Sequence, residues 1–118
     1  MTPAFDETEA ATLIACLKRH AGRGATVSYL ALAGEMALRP PHRIHRLTLA
    51  LEDLVRADIA AGRPLLAAVA VGKTGLPGRG FFQLLQALGR YEGADSGAAA
   101  AAHHAEELSA ARAYWARE

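Results

Sequence analysis

The stretch RPPHRIHRLTLALEDLVRADIAAG, residues 39–62, decides how this chain is read. It predicts one long helix. Pro40 and Pro41 suit its first turn, where a missing N–H donor leaves no bond unmade. Gly62 suits its C-terminal cap. Ile44, Leu47, Leu51, Leu54 and Val55 recur at spacings of three and four, which gives one apolar face to bury. The first turns differ. Arg39, His42, Arg43, His45 and Arg46 crowd the end of a helix whose dipole disfavours positive charge. Such a placement points to an anion outside the helix, and phosphate is the natural one, because the first residues of a recognition helix enter the DNA major groove. The plainer reading is a solvated basic face.

A chain of 118 residues suits one domain with a real core. Hydrophobic content of 52% fits a globular chain. The formal net charge is only +1, so any basic surface is local. A single cysteine, Cys16, excludes an intramolecular disulfide and an all-cysteine metal site. No apolar run is long enough to span a membrane, and Asp6, Glu7 and Glu9 do not resemble a signal peptide. The expected setting is a bacterial cytoplasm, with no membrane partner.

Upstream of the long helix, Asp6 and Glu9 form an aspartate-led capping box that opens a helix over residues 7–21. Leu13, Ile14 and Leu17 form its stripe and Gly22 closes it. Cys16 and His20 lie one turn apart, the spacing of a thiolate–imidazole pair, but no third group orients them. Cys16 therefore reads as a small buried thiol. After a Gly22-Arg23-Gly24 turn, Thr26-Val27 is a short extended piece and Ser28 caps a helix over residues 29–37. Leu30, Ala33 and Met36 are its expected inward residues. This helix, a break at residues 38–41 and the long helix make a helix-turn-helix pattern, or else an ordinary helical hairpin.

Downstream, residues 64–71 are a continuous apolar run that reads as a buried strand. Residues 72–80 hold four glycines and a proline, with Lys73 and Arg79 near the ends, so a strand leads into a wing-like loop. Gly72-Lys73-Thr74 echoes a phosphate loop, but Ala67 stands where that motif needs glycine, and no helix follows Thr74 directly. Residues 81–88 form a short helix ended by Gly89, with Phe81 and Phe82 as core aromatics rather than base-stacking ones. The expected division is a winged-helix-like domain over 1–90, a linker over 91–97 and an alanine-rich helix over 98–118. On that helix His104, Leu108, Ala111 and Trp115 share a face, which docks on the domain or on a partner. A metal site from His103, His104 and Glu107 lacks a distal ligand. The fold class expected is mostly α with a small β wing, a winged helix-turn-helix-like domain plus a C-terminal helix.

Val27-Ser28-Tyr29-Leu30-Ala31-Leu32-Ala33 resembles the V-x-Y-x-x-L-A opening of the DNA-binding domain in alkylguanine-DNA alkyltransferases and alkyltransferase-like proteins. The resemblance covers roughly residues 8–85. It implies that Tyr29 begins the first helix of a helix-turn-helix and that Arg43, fourteen residues on, matches the arginine that intrudes into the base stack. The family's Pro-Cys-His-Arg motif is missing from the strand over 65–71. Pro40-Pro41-His42-Arg43 echoes it only by letter, and Cys16 lies in the wrong helix. Without a nucleophile there is no alkyl transfer. The sequence thus predicts a non-catalytic winged-helix protein that binds double-stranded DNA without a cofactor. Arg39, His42, Arg43 and Arg46 would line its groove face, with Tyr29 at the turn and Lys73 and Arg79 on flanking phosphates. The alternative is a small protein-interaction module, a regulator, inhibitor or accessory subunit, that pairs with a protein or a second copy through the C-terminal helix.

Overall fold

The computed structural model describes residues 3–115. Helix α1 spans Glu7–Gly22 and opens with the expected capping box. The Asp6 carboxylate accepts from the Glu9 N–H at 2.7 Å, and the Glu9 carboxylate accepts from the Asp6 N–H at 3.2 Å. These bonds fill donors that a helix start leaves open. Strand β1, Val27–Ser28, runs directly into α2, Tyr29–Glu35, where the Ser28 hydroxyl accepts from Ala31 N–H at 3.0 Å. Helix α3, Arg43–Ala61, closes on Gly62 at φ 72°, a left-handed cap that glycine adopts without strain. Strand β2 is Ala70–Val71, α4 is Arg79–Ala87 and α5 is Gly97–Trp115. The molecule is mostly helical, with a small β element, a helix-turn-helix-like pair α2–α3 and a C-terminal helix.

The β element is a parallel pair, with Val27 opposite Ala70 and Ser28 opposite Val71. Residues 65–71 are mostly not strand, which corrects the sequence expectation. Leu66–Val69 winds into a 3₁₀ turn, and only Ala70 and Val71 extend. The run is fully buried beneath α1, α3 and α5. Its partner strand is two residues long, so a ladder cannot satisfy its backbone. Side chains do so instead. The buried Asp58 carboxylate accepts from Leu66 N–H at 3.2 Å, and the His104 ring donates to the Ala68 carbonyl at 2.8 Å. Buried amides must find such partners somewhere. Asp58 also takes Arg63 Nε at 3.0 Å, which fastens the end of α3 to the segment that follows.

The core is built around this central run. Leu13 and Leu17 from α1, Leu32 and Ala33 from α2, and Leu47, Leu51 and Val55 from α3 pack against it. Phe82 and Leu85 from α4 close one side. Leu108, Ala111 and Trp115 of α5 lie in the same core, so the alanine-rich helix docks on its own chain. Leu30 is a second correction. It is 63% exposed, and Leu32 takes the inward position. A helix of seven residues makes two turns, and Leu32 with Ala33 already meets the core. Met36 is half-buried against it.

Candidate nucleic-acid interface

The site expected from sequence is the start of α3, and the chain before it sets its shape. Leu38 is buried, and its N–H donates to the Ala33 carbonyl at 3.0 Å, so the α2–α3 connection is pinned from within. Ala37 and His42 both take positive φ, 54° and 61°. The Pro40–Pro41 bond is cis, and both prolines lie outside the helix, which begins at Arg43. The expected start was therefore early. A proline disfavours the α conformation in the residue before it, so Arg39 and Pro40 are held out of helical geometry. His42 is the N-cap residue and offers no side-chain cap.

Arg39, His42 and His45 are exposed, and Arg43 is half-exposed. Among the described residues, Arg39, His42, Arg43, Lys73 and Arg79 have no hydrogen-bond or ion-pair partner. Arg19, Arg56, Arg63 and Arg90 all pair with carboxylates of the fold. Among the described residues Arg39, Arg43, Lys73 and Arg79 thus stand without a carboxylate, as do Arg23 and Arg112, whereas Arg46 and Arg56 of α3 are both paired.

Arg46 differs from its neighbours. Its Nη2 meets both Glu9 oxygens, at 2.9 and 3.0 Å, and its guanidinium carbon lies 5.4 Å from the Phe5 ring centre. Glu9 therefore caps α1 and also clamps α3. Arg39, Arg46, Glu9, Thr8 and Thr12 help line a cleft of about 340 Å³ between α1 and the α2–α3 connection. Thirty-seven positions separate Arg46 from Glu9, so no local pattern could have revealed the pair.

Tyr29 is half-buried, and its hydroxyl accepts from Gly78 N–H at 2.8 Å. Burial raises its pKa, and the Gly78 bond partly opposes that rise. Its ring also lies against Gly72, where an added Cβ would come within 3.7 Å of it. Tyr29 is thus a latch on the glycine-rich loop. The loop folds on itself through Gly72 N–H to the Leu76 carbonyl at 2.8 Å and Gly75 N–H to the Gly72 carbonyl at 3.1 Å. No helix follows Thr74, because α4 waits until Arg79.

The loop sits beside the middle of α3, where Tyr29, Thr48, Glu52, Gly78 and Gly80 share a hollow of about 120 Å³. Helical rise puts Glu52 about 14 Å beyond Arg43 along the axis. Arg39, His42 and Arg43 thus stand at one end of α3, while the glycine-rich loop that carries Lys73 and Arg79 meets α3 farther along, beside Glu52.

The other sequence candidates have different employment. Cys16 is buried, and His20 bonds Glu35 of α2 at 2.9 Å, a contact that lowers the Glu35 pKa. Arg90 grips Glu107 with two bonds of 2.9 Å, and His103 adds a third at 3.0 Å. Glu107 is buried, which alone would raise its pKa, but Arg90 and His103 outweigh burial and hold it low. His104 faces Ala68. Among the described residues no three His, Cys, Asp or Glu side chains are grouped to hold a metal. None of the described helices is long and apolar enough to cross a membrane. No family model, curated protein or solved structure matches the chain.

Proposed function

We propose that the chain is a non-catalytic, cytoplasmic nucleic-acid-binding protein of the winged-helix kind. The start of α3 lies against duplex DNA, and Lys73 and Arg79 reach flanking phosphates. The supporting observation is a set of cations without carboxylate partners at and near α3. Among the described residues Arg39 and Arg43 at its start and Lys73 and Arg79 of the adjoining loop have none, while Arg19, Arg56, Arg63 and Arg90 are paired. An unpaired surface cation near a phosphate backbone gains counterion release on binding. The V-x-Y-x-x-L-A resemblance supports the same scaffold, with Arg43 as the residue nearest the bases. Tyr29 then contributes by holding the loop rather than by touching DNA. Arg46 contributes only where phosphate displaces Glu9.

The competing reading, a protein-interaction module, is favoured by exposed apolar side chains. Leu30, Leu49, Leu88 and Tyr114 are each at least 40% exposed. Backbone amide shifts of the isotope-labelled chain titrated with a short duplex distinguish the two. The DNA reading expects perturbations concentrated at residues 39–46 and 73–79. Shifts absent at low salt, or spread evenly over the surface, would remove it in favour of the interaction module.

A further inference from the structure

Two of the chain's five histidines, His42 and His45, stand inside the cation cluster at the start of α3. His42 is the N-cap residue, held at φ 61°, and its side chain caps nothing. His45 lies in the first helical turn. Both rings are exposed, and neither has a hydrogen-bond or ion-pair partner among the described residues. The other three are engaged by the fold. His20 bonds Glu35, His103 bonds Glu107 and His104 bonds the Ala68 carbonyl.

The surroundings of the two rings carry one sign of charge. Arg39 precedes them and Arg43 lies between them, both without a carboxylate. No acidic residue stands in the first turn of α3, and that turn is the positive end of the helix dipole. Carboxylates on the neighbouring elements are committed to other groups. Glu9 of α1 holds Arg46 at 2.9 and 3.0 Å. Glu35, the one acid of α2, holds Arg19 and His20. Residues 66–69, which pack against α3, carry no titratable side chain. Within α3 the next acid is Glu52, about 10 Å along the axis from His45, with Arg56 at 3.9 Å from it. The glycine-rich loop adds only cations, Lys73 and Arg79. Among the described residues no carboxylate rewards a proton on either ring.

A phosphate does reward it, because a nearby anion favours the charged imidazolium over the neutral ring. Histidine is also the side chain whose charge changes across the physiological range. We propose that His42 and His45 make binding at the α3 start proton-linked. Each ring takes up a proton as it meets phosphate, so the chain grips DNA more tightly as pH falls. The inference rests on the DNA reading and adds regulation to the same surface. Its sign follows from linkage. The complex holds more protons than the separate molecules, so affinity rises with acidity, and the gain is lost as pH rises past the histidine range. Two added charges matter on a chain whose formal net charge is +1, because its basic field is local.

Anisotropy titrations of the full chain with a short duplex, at constant ionic strength and at about pH 6 and about pH 8, test it. The wild type should bind at least about threefold tighter at the lower pH. Its log–log salt slope should steepen there by up to about 0.9 for each ring that meets a phosphate. His42→Gln/His45→Gln should lose most of that pH ratio, with circular dichroism confirming its fold at both pH values. Calorimetry in two buffers of unlike ionisation enthalpy should show net proton uptake when the wild type binds, and much less for the double variant. A wild type that binds DNA equally well at both pH values overturns the inference and leaves the DNA reading standing, and so does a pH ratio that the double variant keeps in full. Absence of binding at both pH values removes the inference together with the reading it rests on.

Discussion

Glu107 shows what single side chains do in this fold. It is 5% exposed, yet it stays ionised because Arg90 and His103 surround it. Its pKa lies below the ordinary 4.5 of a glutamate. The sign of the linkage follows. The stabilisation is complete above that ordinary value and is lost as pH falls through the lowered one. Denaturant unfolding at a series of pH values should show wild type losing its advantage over Glu107→Gln as the solution is acidified below 4.5. Arg90→Ala should cost about 1.5–3 kcal/mol at neutral pH, the range for a hydrogen bond to a charged group. Tyr29 makes a smaller contribution. Tyr29→Phe removes the acceptor for Gly78 N–H and should cost about 0.5–1.5 kcal/mol in chemical denaturation. Faster amide exchange at Gly78 should accompany that loss.

Elements were legible where their signals are local. The Asp6–Glu9 capping box, the Ser28 cap and the Gly62 stop are all formed within a few residues of chain. The buried face of α3 follows from spacing alone, and so does the face of α5 that carries His104, Leu108, Ala111 and Trp115. Residues 65–71 were misread because an apolar run declares burial and not backbone form. Asp58 and His104 decided that form, from eight and thirty-six positions away. The helix start at Arg43 and the outward turn of Leu30 likewise depend on context beyond the local pattern. Helix α5 yields the clearest test at this scale. It brings Leu108, Ala111 and Trp115 into the core and His104 to a buried carbonyl. Removing residues 98–118 should therefore lower the thermal midpoint sharply and expose the 3₁₀ turn to amide exchange. An unchanged midpoint would mean that α5 is not part of the folding unit.

At the scale of the whole molecule, the candidate site was legible as composition but not as geometry. The basic letters of residues 39–46 marked the region. Only the fold separates cations engaged by carboxylates from those without partners, and only the fold shows Glu9 on Arg46. A near-neutral chain that binds nucleic acid must do so through such a local patch, with a modest salt dependence. On the proposed DNA reading, Glu9 competes with phosphate for Arg46. Glu9→Gln should tighten DNA binding if Arg46 contributes, at some loss of stability from the weakened clamp.

The most direct measurement is fluorescence-anisotropy binding to a short duplex across a salt series, comparing wild type with Arg39→Ala/Arg43→Ala. The account predicts that wild type binds at low salt. It also predicts that the double variant stays folded and loses about 0.9 of log–log slope for each phosphate contact removed. A wild type that binds neither duplex nor single strands at low salt, or a double variant with the same affinity and slope, would contradict it.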